Sequence, residues 1–271
     1  MTQKIFWITG AASGLGQALT TAALKAGHSV FASDVTLDAL ELTAAAQQWP
    51  RDRVLLSALD VRNPTDWDNA EKLFLQRWSR LDVMINNAGI LLSGPLSLVR
   101  DNDVHRMLDI NVKGVMFGSQ RAAVLMLKQG YGHIVNMGSM SSLAPVPGIG
   151  LYSASKFAVR GYSLALAMEL KESGIAVTCV CPDGINTPML KAEAKSKDAA
   201  LIFSGGRILT TEEVRDAILG PILEKRPMEY ILPDSRGWMA KASSVAPETT
   251  SRILSLLQKR GLKNQQKNPL S

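Results

Sequence analysis

Short, mainly apolar runs alternate along this chain with longer stretches in which apolar residues return every three or four positions. The runs at 4–9, 28–33, 53–59, 81–86, 133–137, 175–181 and 228–232 have the length and composition of buried strands. Helical periodicity fills the gaps, to about residue 26 after the first run, then at 36–48, 64–78, 101–129 and 152–173. Thr210-x-x-Glu213 reads as a capping box opening a further helix, which Gly220-Pro221 should kink or end. A last helix is expected at about 247–259, presenting Ile253, Leu254, Leu256 and Leu257 as an apolar face. Strand and helix taking turns predicts an α/β fold, a doubly wound parallel sheet of six to seven strands with helices on both faces, because parallel strands need crossovers. One domain over 1–271 is expected, with 188–208 as a mobile substrate lid and 233–271 as an unassigned C-terminal extension.

Glycines and acids punctuate the strand ends. The first run leads into Gly10-Ala-Ala-Ser13-Gly14-Leu15-Gly16, a strand, glycine turn and helix start that lets backbone approach a diphosphate at a helix N-terminus. The second run ends on Asp34, where an acid can take both ribose hydroxyls of an adenosine and would repel a 2′-phosphate. Neither Ser13 nor Val35 offers the positive charge such a phosphate needs, so the pattern favours NAD over NADP. Asn86-Asn87-Ala88-Gly89 is a small amide-rich turn after the fourth run, and Asn111 falls inside a helix, where asparagine bends the backbone or bonds locally.

The chemistry-bearing stretch is 132–156. Ser139 follows the 133–137 strand, and Tyr152 and Lys156 stand one helical turn apart on one face. A free tyrosine titrates near pH 10 and is a poor base at neutrality; a neighbouring ammonium favours its phenolate. Tyr152 could then exchange a proton with a hydroxyl or carbonyl oxygen that Ser139 holds and polarises. Taken alone, Tyr-x-x-x-Lys also fits a chance pair on a surface helix.

Composition narrows the choices. A hydrophobic share of 46% suits a sizeable core, no stretch offers 18 uninterrupted apolar residues, and the chain enters a strand at once, so a cytoplasmic protein without a transmembrane segment is expected. The excess of 30 Lys and Arg over 24 Asp and Glu gathers in the C-terminal run, where Arg252, Lys259, Arg260, Lys263 and Lys267 stand without an acid; beyond Gly261 a solvated, partly disordered end is expected. No basic patch is interleaved with aromatics, so no nucleic-acid partner is expected. Cys179 and Cys181 are expected to be buried and reduced and to point to opposite faces of their strand, out of bridging reach. His28, His105 and His133 have no partner at metal-ligand spacing, and no metal is expected.

Assembled in order, these motifs resemble the short-chain dehydrogenase/reductase family in its compact single-domain branch. TGAASGLG at 9–16 is similar to its cofactor turn, NNAG at 86–89 to its adenosine-side motif, and Ser139 stands ahead of YSASK as the family's serine does. The resemblance implies an NAD(P)-dependent oxidoreductase interconverting a secondary alcohol and a ketone. It implies Tyr152 as acid/base, Lys156 lowering the Tyr152 pKa and binding the nicotinamide ribose, Ser139 fixing the substrate oxygen and Asn111 holding a relay water. It further implies that Gly10, Ser13, Gly14, Leu15, Gly16, Asp34, Asp60, Val61, Asn87, Ala88, Gly89, Ile185 and Thr187 contact the cofactor. A homodimer or homotetramer through the helices at 101–129 and 152–173 is expected. Two departures stand out: Asp183 follows Pro182 where glycine is usual, and the end after Leu232 is unlike the family's. Leu91, Leu92, Met140, Val146, Ile149, Met189, Ile202 and Phe203 suggest a hydrophobic alcohol or ketone as the small-molecule substrate, with Lys191, Lys195, Lys197 and Arg207 as possible receptors for an acid instead. A non-catalytic NAD-sensing module and an NAD-dependent epimerase or dehydratase are the competing readings.

Overall fold

The computed structural model describes residues 2–267, apart from the side chains of Thr250 and Ile253. Strands β1 (Ile5–Thr9), β2 (Ser29–Asp34), β3 (Val54–Ala58), β4 (Val83–Asn86), β5 (Gly132–Met137), β6 (Ile175–Pro182) and β7 (Glu229–Leu232) form one parallel sheet in the order β3-β2-β1-β4-β5-β6-β7. Helices α1 (Gly14–Lys25), α2 (Leu37–Ala46) and α3 (Pro64–Arg77) make the crossovers of the first half. The second half carries α4 (Asp101–Leu108), α5 (Gly114–Gln129), α6 (Gly150–Glu169), α7 (Pro188–Glu193), α8 (Thr211–Ala217) and α9 (Leu223–Lys225). The chain closes with α10 (Asp234–Val245) and α11 (Pro247–Lys267).

The two-residue period of a strand explains how both faces are filled. On β1, Phe6 and Ile8 join the core beneath α1 and α8, while Ile5 and Trp7 join the core beneath α3 and α5. The second core is aromatic: Trp7 meets Phe31 edge-on at 4.7 Å and Phe74 in a stack at 5.4 Å. Helix starts follow their capping chemistry. Asn63 accepts from the Thr65 N–H ahead of Pro64, and the Thr210 and Glu213 side chains bond each other's backbone N–H at 3.2 and 2.9 Å. The expected kink is present as a π turn at Ile218–Ile222, with Gly220 outside helical geometry.

Two expectations are corrected, and part of the unassigned C-terminal extension takes shape. Residues two apart on a strand share a face, so Cys179 and Cys181 lie side by side, buried, with sulfurs 3.7 Å apart. The 261–267 end is the last part of α11, not a solvated tail: Gly261 is buried against Ala200, and Asn264 donates to the Phe203 and Gly205 carbonyls. Residues 234–245 form α10, which the polar composition after Leu232 did not suggest. Of the apolar face proposed on the last helix, the Ile253 side chain lies outside the described residues, and Leu256 is exposed. Val124 and Leu127 on α5 and Phe157 and Met168 on α6 are exposed apolar residues on the helices through which self-association was expected. Among the described residues no helix is long and apolar enough to cross a membrane.

His133 gives the fold a measurable acid response. Thr178 Oγ1 donates to the Pro227 carbonyl at 2.5 Å, so His133 Nε2, 2.8 Å away, carries the hydrogen, and Nδ1 has no partner among the described residues. Burial first, then the charges of Arg226 and Lys4, push its pKa down from 6.5 to about 3. The unfolded chain therefore takes the proton first, and stability present above pH 6.5 is lost as pH falls from 6.5 toward 3. The slope from this one group approaches about 1.4 kcal/mol per pH unit within that window. Urea unfolding should show His133→Gln losing less stability than the wild type between pH 6.5 and 4.5; parallel curves would contradict this.

Candidate active site

Strand order reverses between β1 and β4, and the carboxyl ends of the strands open there into a cleft of about 500 Å³. The glycine turn forms its first wall. Gly10 has φ +68° and Gly14 φ +54°, backbone that L side chains rarely adopt, and a Cβ on Gly16 would fall 2.0 Å from the Gly10 carbonyl oxygen. Helix α1 begins here with no acid in its first turn and no side-chain cap from Ser13. Its first-turn N–H groups are therefore open to a ligand, and the positive end of the helix meets a turn of glycines and small side chains. This cradle fits the diphosphate of a dinucleotide.

The NNAG turn supports that cradle. Asn87 Nδ2 donates to the Thr9 and Gly10 carbonyls at 3.0 and 3.2 Å, and the backbone N–H groups of Asn87 and Ala88 both donate to Thr9 Oγ1. Asn87 thus lines the cleft with its amide occupied in holding the glycine turn, and Thr9 is a participant that the sequence did not single out. At the end of β2, Asp34 faces the cleft with Oδ2 fixed by the Ala12 N–H at 2.9 Å. Asp60 is held by Arg62, whose hydrogen bonds keep its carboxyl below the ordinary range, and Val61 lines the wall beside it.

Across the cleft, Ser139, Tyr152 and Lys156 come together. Ser139 caps the turn at 140–142, accepting from the Ser141 N–H at 3.1 Å while its own N–H goes to Ser142 Oγ, so its hydroxyl hydrogen is left for a partner in the cleft. The Tyr152 phenol is close enough for Ser139 to lower its pKa. Helix α6 starts at Gly150, and its first turns carry Tyr152 and Lys156 with the ammonium 5.6 Å from the ring centroid. Lys156 is buried and donates to the Met137 carbonyl at 2.7 Å. Burial governs both titrations: it pushes the Tyr152 pKa up to about 12 against the lowering hydrogen bond from Ser139, and pulls Lys156 down to about 8. The expected lowering of the Tyr152 pKa by Lys156 is corrected: burial raises it, and the opposing influence comes from the Ser139 hydrogen bond and not from the ammonium.

Asn111 and Gly16 stand behind the cleft wall. Asn111 lies in a π turn at Asp109–Lys113, the local bend its mid-helix position suggested, and is fully buried. Its side chain accepts from the Ile90 N–H at 2.8 Å and donates to the Ile90 carbonyl at 2.9 Å and to Ser155 Oγ at 3.1 Å. It clamps the loop after NNAG beside Lys156. On the far side, Thr187 caps α7 and packs its methyl against Gly14, a position 3.5 Å from where a Cβ would stand. Ile185 lines the cleft and pairs with Leu209 in a parallel bridge.

The substrate end is apolar with one charged corner. Leu91, Met140, Val146, Ile149, Met189 and Ile202 line it, whereas Leu92 faces a separate groove and Phe203 is buried with Leu190 and Ala199. None of Lys191, Lys195, Lys197 or Arg207 lines the cleft, and Arg207 is paired with Glu213. The charged corner is instead Asp183 with Arg236 of α10. The unusual acid after Pro182 was the signal in the sequence; a buried carboxylate there needs a cation from elsewhere.

The chain matches the family model for short chain dehydrogenases over residues 4–198. It is 33% identical over 192 residues to an uncharacterised oxidoreductase of Staphylococcus aureus, covering 71% of this chain and 82% of that protein. It is 30% identical over 271 residues to an oxidoreductase of Botryotinia fuckeliana, covering 93% and 98%. Among solved structures, a short chain dehydrogenase/reductase from Burkholderia phymatum in complex with NAD superimposes with TM-score 0.81 at 25% identity, over 92% of this chain and 95% of that one. A 3-ketoacyl-(acyl-carrier-protein) reductase from Brucella melitensis complexed with NADH gives TM-score 0.75 at 26% identity, over 84% and 96%.

Proposed function

The chain belongs to the short chain dehydrogenase family, and on that premise we propose that it is an NAD-dependent oxidoreductase interconverting a hydrophobic secondary alcohol and its ketone. The observation that carries this reading is the meeting of the Tyr152 phenol, the Ser139 hydroxyl and the Lys156 ammonium in one cleft, opposite a glycine cradle shaped for a diphosphate. A bound nicotinamide supplies the hydride acceptor or donor. Gly10, Ser13, Gly14 and Leu15 would hold the diphosphate, with Gly16 behind them allowing the close turn, Asp34 would hold the adenosine ribose, and Asp60, Val61, Ala88 and Gly89 the adenine side. Ile185 and Thr187 hold the nicotinamide end.

Ser139 donates to the substrate oxygen and keeps it beside the phenol. In reduction Tyr152 passes its proton to that oxygen; in oxidation its phenolate takes the proton from the alcohol. Lys156 stabilises the phenolate and reaches the nicotinamide ribose. The Asn111 amide is engaged with Ile90, so its part in the reaction is to hold the loop after Gly89 beside Lys156. The 188–208 stretch closes the substrate end as a lid.

The lining decides the substrate class. An apolar wall gains about 25 cal/mol for each Å² removed from water, while each polyol hydroxyl left unpaired costs roughly 1–3 kcal/mol. A panel of sterols, retinoids, aromatic alcohols, polyols and small hydroxy acids, compared by kcat/KM with NAD, should rank the apolar alcohols first. A polyol or hydroxy acid at the head of the ranking would overturn this assignment.

A further inference from the structure

Three separate segments meet at the charged corner of the cleft. Arg236, in the first turn of α10, donates through Nη1 to Asp183 Oδ2 at 2.5 Å and through Nη2 to Ser204 Oγ at 3.4 Å. Ser204 Oγ is free to accept, because its own hydrogen goes to the Leu201 carbonyl at 2.7 Å. The guanidinium lies across Gly205, where a Cβ would stand 1.9 Å from Nη1, so the bare glycine is what admits it. The Asp183 side chain is 9% exposed and its N–H is tied to the Leu232 carbonyl at the end of β7. Helix α11 holds the same stretch from behind: Asn264 donates to the Phe203 and Gly205 carbonyls, Gln265 donates to the Ser196 carbonyl, and Gly261 sits against Ala200.

We propose that Arg236 is a positioning residue for the reaction: through Asp183 and Ser204 it latches the 182–187 loop to the 198–205 stretch, so that the C-terminal helices set how long the cleft stays closed over a bound dinucleotide. The proposal rests on the function assigned above, since Ile185 and Thr187 on the latched loop are the residues given to the nicotinamide. Asp183 makes the latch necessary as well as possible. Burial raises its pKa, opposed by Arg236, so a chain without the guanidinium must protonate this carboxyl or swing it out to water. Either response releases the loop from α10. Sequence distance hides the device, because Asp183 and Arg236 are 53 residues apart.

Hydrogen exchange of the protein without cofactor tests the latch independently of the proposed function. In Arg236→Met the backbone amides of 182–187 and 198–205 should exchange together at least about tenfold faster, a loss of about 1.4 kcal/mol of local protection, while β1, β4 and β5 keep their wild-type protection and Arg236→Lys recovers part of the effect. Unchanged exchange, or an equal rise throughout the sheet, overturns the proposal. The second measurement is NADH release, followed by loss of its enhanced fluorescence after a chase with excess NAD. The expected result is a dissociation rate raised about tenfold with the association rate within about twofold of wild type; an unchanged dissociation rate in folded Arg236→Met overturns the proposal. Should that variant not fold, Asp183→Asn/Arg236→Gln removes both charges without stranding either one, and the same two readouts apply to it. If wild-type protein binds no NADH, the function proposed above fails, and the exchange experiment still decides the latch.

Discussion

Tyr152→Phe is expected to lower turnover by roughly 10²- to 10⁴-fold, about 3–5 kcal/mol of barrier, while NAD binding stays close to wild type. The substitution deletes one oxygen. The ring that packs beside Lys156 remains, Lys156 keeps its bond to the Met137 carbonyl, and Ser139 keeps its place as the cap of the 140–142 turn. What is lost is the proton that must pass to or from the substrate oxygen, an interaction needed in the transition state and not for cofactor binding. The same chemistry fixes a pH sign. Oxidation uses the phenolate, so its rate rises with pH through the apparent pKa of the Tyr152–Lys156 pair, and reduction, which uses the phenol, falls through the same value. Steady-state rates in both directions check this; Tyr152→Phe retaining more than a tenth of wild-type turnover would remove the mechanism.

The second large effect lies at the other end of the cleft. NADH is expected to bind at least about tenfold more tightly than NADPH, a difference of about 1.4 kcal/mol or more. Asp34 Oδ2 is pinned by the Ala12 N–H, so the carboxylate cannot easily turn away from an added 2′-phosphate. Arg62, the cation that follows β3, is committed to Asp60 by three side-chain hydrogen bonds and is not free to compensate. Asp34→Ser should bring the two affinities toward parity by removing the repulsion and the ribose contact together. Fluorescence titration measures both ratios, and tighter NADPH binding by the wild-type protein would show that Asp34 has been misread.

Local patterns made much of this molecule legible. Tyr152 and Lys156 are one turn apart on a helix, the glycine turn joins consecutive elements, and each strand announces itself by its own apolar run, so neither tertiary contacts nor cavities were needed to place them. Long-range pairings were less accessible. The Asp183–Arg236 pair, the Asn111–Ile90 clamp and the bonds from Asn87 to the glycine turn all join residues far apart in sequence. The end of α11 misled because Asn, Gln and Lys usually mean solvent; here Asn264 and Gln265 use their amides to bind backbone carbonyls of the stretch over the cleft. The two cysteines were a matter of period alone: residues two apart on a strand share a face. The tyrosine pKa required the structure, because burial, which raises it, is set by the packing around the phenol and exceeds the lowering by the Ser139 hydrogen bond.

The central claim is that one cleft both binds NAD and carries out hydride chemistry with Tyr152 as its acid/base, and absorbance at 340 nm tests it most directly. Protein that binds NAD is mixed with NAD and the panel of alcohols, and with NADH and the matching ketones. The expected result is NADH formed or consumed with at least one hydrophobic member of the panel in wild type and none above background in Tyr152→Phe. NAD bound with normal affinity, no turnover in either direction across the panel, and no difference between wild type and Tyr152→Phe would contradict it and leave a cofactor-sensing module in its place.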